Sequence, residues 1–281
     1  MRVIIPGMLR IMRPANAVVA GLAATLGYFI ASGTLVPGVF LIWAVVVLVT
    51  SGGNTINDYF DAGIDRINRP DRPIPSGEVR ETEAWNLSFI LFAGGILIAA
   101  FTNLLCIAIA LFNSLLLFLY AARWKRSCFY GNIVVSYLAA SIFLFGGAYL
   151  GWEGAVRVLP VALITFFAMV SRELLKDAED VEGDLTAGAD TVPVRYGVKT
   201  AVLLSLVFSL GAVAGSIYPV LWWGIGYLGG ILLVDAIIII AVIRPLSCGT
   251  PRCIRQSRAT SLLKTGMFAS LIVFSLAALL A

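Results

Sequence analysis

Long apolar runs alternate with polar breaks along this chain. Runs long enough to cross a bilayer occupy residues 14–33, 37–57, 84–101, 103–121, 131–150, 157–175, 200–217, 219–243 and 263–281. Each is close to the roughly 20 apolar residues that a transmembrane helix needs. The pattern predicts an all-α, multi-pass membrane helical bundle with nine transmembrane helices. The break between the third and fourth runs is only Thr102-Asn103, and the fourth run carries Asn113 and Ser114 inside it. Four connections, at 58–83, 122–130, 176–199 and 244–262, are long and polar; the others are short and nearly uncharged.

Composition agrees: 60% of the 281 residues are hydrophobic and 13% are charged, against about a quarter charged in soluble domains. The basic residues are distributed one-sidedly. Arg2, Arg10 and Arg13 precede the first run, and all but Arg157 of the 20 lysines and arginines fall on the same side of the nine predicted spans. The positive-inside rule then predicts a cell-membrane protein with its N-terminus cytoplasmic, its C-terminus extracytoplasmic and its long polar connections on the cytoplasmic face. The apolar run after residues 1–13 is too long for a cleavable signal peptide, so none is expected. Histidine is absent, which excludes His-based zinc sites and triads. Cys106, Cys128, Cys248 and Cys253 form no CxxC pair, and all four are expected to be free, reduced thiols. Asp235, alone in the eighth run, is expected to be a bonded or protonated structural acid. Beyond the bilayer and small lipophilic molecules, neither a nucleic-acid partner nor an obligate protein partner is predicted.

The chemistry concentrates in residues 51–77, SGGNTINDYFDAGIDRINRPDRPIPSG. On a helix, Asp58, Asp61 and Asp65 fall at about 0°, 300° and 340°, within roughly 60° of one face. Such carboxylates repel one another unless something cationic sits between them, and a divalent metal with oxygen ligands is the simplest choice. The spacing recurs 119 residues later, counted from Asp58 to Asp177, in Asp177, Asp180 and Asp184. Asn54 and Glu173 each stand four residues before the first aspartate of their trio. The offset spans four helices, so two pseudo-repeated four-helix halves of like orientation are predicted, about 13–121 and 131–243, with a ninth helix at about 263–281, in one domain of residues 1–281. Two acidic faces would then oppose each other at the cytoplasmic side. Mg²⁺ suits this arrangement, because it combines a few carboxylates with waters and phosphate oxygens. A diphosphate is the expected substrate group, with Asn54, Asn57, Arg72, Arg123, Lys125, Arg172 and Lys176 as its expected polar and basic contacts. An apolar cavity for a lipid-like tail completes this expectation.

The stretch Asn57-Asp58-x-x-Asp61-x-x-x-Asp65, followed by Asn68-Arg-Pro-x-Arg72-Pro-Ile-Pro-Ser-Gly77, resembles the first signature of the UbiA superfamily of intramembrane prenyltransferases. Lys176-Asp-x-x-Asp180-x-x-Gly-Asp184 with Thr191-Val-Pro-Val-Arg-Tyr-Gly197 resembles the second. Arg13-Pro-x-Asn16, Tyr120-Ala-Ala-Arg-Trp-Lys-Arg126, Gly131-Asn132 and Arg172-Glu-x-x-Lys-Asp177 are similar to an archaeal branch that makes ether-lipid precursors. The resemblance implies Mg²⁺-dependent transfer of a geranylgeranyl group from its diphosphate to the hydroxyl of geranylgeranylglyceryl phosphate. The six aspartates would be the metal-binding and catalytic residues, with Asn16 and Tyr120 in the substrate pocket. Two rival readings are an aromatic quinone- or porphyrin-type acceptor on the same fold, and an anionic-lipid carrier without chemistry. Tyr59, Tyr120 and Tyr137 are candidate rings for steadying an allylic cation, or interface anchors.

Overall fold

The computed structural model describes residues 4–280, which are helical with no strand among them. Arg2 and the last residue of the ninth run, Ala281, lie outside the described residues. In chain order the helices are α1 (Ile4–Met12), α2 (Pro14–Ser32), α3 (Val39–Asn68), α4 (Glu81–Ala99), α5 (Leu104–Ala122) and α6 (Tyr130–Ala148). They continue with α7 (Trp152–Thr186), α8 (Val192–Tyr196), α9 (Val198–Ser216), α10 (Val220–Ile243), α11 (Pro251–Ser257) and α12 (Ala259–Leu280). Among the described residues nine helices are long and apolar enough to cross a membrane, and they match the nine predicted runs.

The main departure is in length. α3 has 30 residues and α7 has 35, about 45 and 52 Å of helix at 1.5 Å per residue. The hydrocarbon core is about 30 Å thick. Both helices therefore continue well past the apolar run that defines them, and the acidic trios ride on these extensions. The extensions persist because Ile56 and Ala62 on α3, and Leu174, Leu175 and Ala178 on α7, keep a buried apolar stripe going. Pro70 follows the end of α3, with Arg69 already extended at φ −146. Beyond α7, Gly188 turns the chain with φ +65.

The chain forms two compact units, residues 1–124 with 141–158, and residues 125–140 with 159–281. In the first, α2 and the second half of α6 approach so closely that glycine is required. A Cβ on Gly146 would overlap the Ala24 carbonyl and lie 2.7 Å from the Tyr28 nitrogen, and one on Gly27 would lie 2.6 Å from the Phe143 carbonyl oxygen. Small residues at such crossings supply the packing that holds membrane helices together. Tyr28, Ile42, Val45, Ile56, Phe92 and Phe145 fill the surrounding core. The Thr102-Asn103 break is real: Asn103 caps α5 by accepting from the Cys106 N–H at 3.0 Å. Its side-chain amide also donates to the carbonyls of Ala148 and Tyr149 at 2.8 and 3.1 Å. Arg157, predicted to be the lone basic residue opposite the others, donates to the Ala31 carbonyl at 3.1 Å.

In the second unit, several polar side chains inside the spans satisfy one another. The Ser171 hydroxyl lies 2.8 Å from that of Ser205 and 2.7 Å from that of Ser209, all three buried. Asp235 accepts from the Ser216 hydroxyl at 2.7 Å, and the Tyr227 hydroxyl donates to the Ser216 carbonyl at 2.7 Å. The lone carboxylate is thus a clasp of the α9–α10 hairpin. The expectation of four free thiols is corrected: Cys248 and Cys253 form a disulfide, while Cys106 and Cys128 are free. Thr250 caps α11, accepting from the Cys253 N–H at 3.4 Å, and this first turn brings the two Cα atoms to 5.4 Å, within disulfide reach. A spacing of five residues gives no such signal in the sequence. Cys128 lies between α5 and α6; burial, and then the Asp190 carboxylate, push its thiol up and keep it protonated.

Replacing Gly146 by valine is expected to destabilise the protein by about 1–3 kcal/mol, the usual penalty for overpacking. Gly226→Ala, where a Cβ meets nothing within 4 Å, serves as the control. Thermal unfolding in detergent should show a lowered midpoint for Gly146→Val only.

Candidate active site

The first acidic trio lies on the extension of α3. Asp58, Asp61 and Asp65 are 4, 7 and 5% exposed. Three buried like charges on one helix face require cations beside them. Arginines meet much of that requirement. Arg72 is bonded to Asp65 and reaches Asp58 at 3.3 Å, and Arg13 is bonded to the same oxygen of Asp58.

The local sequence explains how Arg72 arrives there. Pro70, Pro73 and Pro75 remove three N–H groups from the loop after α3. The loop therefore closes through tight turns, from the Ser76 N–H to the Arg72 carbonyl at 2.9 Å and from the Val79 N–H to the Pro73 carbonyl at 2.9 Å. Gly77 provides the positive φ of +79. Ile74 and Val79 are buried with Ile11, Ala62 and Ala84 in a small core. This anchorage carries Arg72 back over the helix that precedes it.

Arg13 comes from the other direction, at the α1–α2 junction. Its φ of +50 is left-handed, a conformation that costs a non-glycine residue about 1–2 kcal/mol. Arg10 ties α1 to the same loop through Glu78 and, at 3.0 Å, the Asp71 carbonyl. Asn54 donates to the Met12 carbonyl at 3.1 Å, holding the end of α1, and Asn57 donates to Asp61 at 2.9 Å. Tyr59, a candidate ring for an allylic cation, packs on Trp85 at 5.0 Å between ring centres.

The second trio lies on the extension of α7. Asn132, buried at the start of α6, donates to Asp177 at 2.8 Å. Asp184 accepts from the Thr191 hydroxyl at 3.0 Å, and Asp180 is exposed. Buried Glu173 holds two of the expected phosphate contacts, Arg172 at 2.5 Å and Lys176 at 3.4 Å. The segment containing Lys125 is tied to this region by the Asp190 N–H donating to the Arg126 carbonyl at 2.9 Å.

Within the first unit, then, the structure gathers Asp58, Asp65 and Arg72 into one ion-pair network, with Asn57 and Asp61 paired beside it. Within the second it gathers Arg172 and Lys176 on Glu173, and anchors Asp177 and Asp184. Asn16 stands exposed in the first turn of α2, its N–H bonded to the Arg13 carbonyl at 3.0 Å. Arg123 is exposed at the end of α5, and Tyr120 lies half-buried in the last turn of that helix. Neither Asn16 nor Arg123 hydrogen-bonds either trio among the described residues. Sequence reasoning missed Arg13, Asn132 and Thr191 as supports of the carboxylates. All three lie in stretches that carry the family resemblance, which was the available signal.

Among the described residues no three acidic, cysteine or histidine side chains converge into a metal cage. Mg²⁺ does not need one, since it takes one or two carboxylates and completes its shell with water and phosphate oxygens. The donors of each helix end, carboxylates with asparagine amides on α3 and carboxylates on α7, are such hard ligands and suit that ion.

Among the described residues nine helices are long and apolar enough to cross a membrane, and two of them end in carboxylate trios beyond their apolar spans, the profile of an integral multi-pass membrane protein with an acidic polar end. The chain belongs to the UbiA prenyltransferase family, whose model matches residues 20–272; it is a prenyltransferase. It is 56% identical to the digeranylgeranylglyceryl phosphate synthase of Methanoregula boonei, over 97% of this chain and 98% of that one. A solved structure of digeranylgeranylglyceryl phosphate synthase superposes with a TM-score of 0.86 at 33% identity, covering 99% of both chains. A UbiA homolog from Archaeoglobus fulgidus bound to GPP and Mg²⁺ shares the fold, with a TM-score of 0.68 at 18% identity, covering 98% of this chain and 100% of that one.

Arg72→Ala is expected to lower stability by about 1–3 kcal/mol, because it strips a partner from two buried carboxylates. Arg13→Ala should cost less, since that side chain is a third exposed and Asp58 keeps Arg72. Thermal melts of the two variants in detergent check the order.

Proposed function

We propose that this chain transfers a geranylgeranyl group from its diphosphate to the free hydroxyl of geranylgeranylglyceryl phosphate, forming the second ether bond of an archaeal lipid precursor. The observation that carries the reading is the full-length similarity to the synthase of Methanoregula boonei, at 56% identity. The residues supply a reason for each part of the chemistry. Asp58, Asp61, Asp65, Asp177, Asp180 and Asp184 are the proposed Mg²⁺ ligands. When bound, Mg²⁺ supplies charge neutralisation for the departing diphosphate. Arg72, Arg123, Lys125, Arg172 and Lys176 add hydrogen-bond donors and positive charge to its oxygens, and Asn54 and Asn57 hold the polar end of α3 in register. The apolar helices exclude water, which protects the allylic carbon from hydrolysis. Asn16 and Tyr120 line the proposed substrate pocket.

The one-sided distribution of lysine and arginine supports a cytoplasmic N-terminus, an extracytoplasmic C-terminus and an active site at the cytoplasmic face. An aromatic acceptor remains the rival within the same fold.

Purified protein with Mg²⁺ and geranylgeranyl diphosphate is expected to release diphosphate when geranylgeranylglyceryl phosphate is added. A hydroxybenzoate-type acceptor should give none, and release with the aromatic acceptor alone would overturn the assignment. A chelator should stop turnover and added Mg²⁺ restore it. Asp61→Ala and Asp180→Ala should each reduce turnover at least a thousandfold while melting near the wild-type temperature; near-normal activity in either would defeat the two-trio proposal.

A further inference from the structure

A second polar feature of the α7 extension shares only Arg172 with the chemistry above. A cavity of about 330 Å³ opens between α7, α11 and the start of α12, on the face of α7 that carries Arg172 and Glu179, seven residues apart. On a helix that face is turned by roughly 100–140° from the Asp177, Asp180 and Asp184 stripe. The cavity is lined by four cations, Arg172, Arg255, Arg258 and Lys264, and by one acid, Glu179.

Its wall is built rather than accidental. Arg255 donates through Nε and Nη2 to the Glu179 carbonyl at 3.0 and 2.8 Å, fastening α11 to α7. Thr260 is bonded to the Glu179 carboxylate, fastening α12 to the same turn. Both polar groups of Glu179 are thus engaged in the wall. Arg172 is paired with Glu173. Arg258 and Lys264, by contrast, have no carboxylate within ion-pair distance among the described residues, and both are exposed. Arg258 sits at the α11–α12 junction with φ +55, so a left-handed turn in a non-glycine residue sets this cation at the rim. Thr260 and Ser261 lie in the first turn of α12, where a helix leaves its N–H groups without intrahelical partners. The positive end of a 22-residue helix adds to the same spot.

Above the cavity, α12 continues Lys264 with Phe268, Ile272 and Leu276, which are 47, 62 and 53% exposed. Their spacing of four residues places them along one side of the helix. A basic, hydrogen-bonding recess at the foot of an exposed apolar stripe has the profile of an amphiphile with an anionic head. Guanidinium forks and the N–H groups of a helix's first turn together match the several oxygens of a phosphate better than a single carboxylate. Its place at the start of a membrane helix puts the ligand at the bilayer surface.

We infer that this recess binds the phosphate headgroup of a membrane lipid. Two sources share that chemistry, the phosphorylated acceptor of the proposed reaction and the anionic lipids of the bilayer. Only the first rests on that reaction.

The test compares wild type with the Arg258→Gln/Lys264→Gln double variant in nanodiscs of phosphatidylcholine, with phosphatidic acid as the phosphate-headed probe. Phosphatidic acid should raise the melting temperature of the wild type, and the double variant should need about tenfold more of it for the same shift. Equal response of the two proteins, with both melting alike in phosphatidylcholine alone, overturns the inference whatever the enzyme's activity. If the double variant melts lower in phosphatidylcholine, Lys264→Gln alone provides the comparison. Kinetics in phosphatidylcholine nanodiscs then separate the sources. A rise of about tenfold in KM for the phosphorylated acceptor, with KM for the prenyl diphosphate unchanged, assigns the recess to the acceptor. Unchanged acceptor KM beside the lost melting response assigns it to bilayer lipid.

Discussion

Carboxylates stacked at three- and four-residue spacing on a helix cannot be buried together without positive charge between them, and much of the polar end of the first unit is arranged to provide it. Asp58 and Asp65 are neutralised by Arg72 and Arg13, which reach them from opposite directions in the chain. To deliver Arg72, the loop after α3 gives up three N–H groups to prolines and buries Ile74 and Val79. To deliver Arg13, the chain accepts a left-handed arginine between α1 and α2. Short helix α1, with Arg10 on the loop and its last carbonyl on Asn54, exists to hold that geometry. A cost of about 1–2 kcal/mol in backbone conformation is offset by the charge-assisted contact that Arg13 makes to the Asp58 carboxylate, of about 1.5–3 kcal/mol.

The second trio meets the same constraint differently. There the neutral donors Asn132 and Thr191 take two carboxylates, while Glu173 gathers the cations Arg172 and Lys176 one turn away. The two trios share spacing but not neighbours. In the first, cations sit directly on the aspartates, and a metal entering there must compete with arginine. In the second, the aspartates keep neutral donors, and the cations are held on a separate acid. Repeated spacing therefore does not make the trios chemically equivalent, and two metal sites built on them would differ in affinity.

Nearly all of the membrane architecture was legible in the sequence, because the bilayer imposes a single rule: apolar side chains outside and every backbone group bonded within the helix. That rule fixes the nine spans to within a few residues, and even the Thr102-Asn103 break, where Asn103 is a cap. It says nothing beyond the hydrocarbon. The continuation of α3 to Asn68 and of α7 to Thr186 rests on a thin stripe of buried residues that hydropathy does not register. Arg13 is 45 residues from Asp58, and the turn that joins them is a backbone state no composition reveals. The Cys248–Cys253 disulfide escaped for the same reason, since it depends on the first turn of α11. The six aspartates were legible because spacing on a helix is a local property, whereas their partners are properties of the tertiary fold.

Glu179 shows how closely these layers are joined. It lies between Asp177 and Asp180, yet it faces away from them, and both its carbonyl and its carboxylate are bound by residues from α11 and α12. One helical extension thus carries two polar faces, one of aspartates and one of arginines, separated by roughly a third of a turn. A continuous helix holds these faces at a fixed angle. Whatever occupies the basic recess is therefore held at a set rotation about α7 from the aspartates, and the stiffness of the α7 extension does the positioning for both.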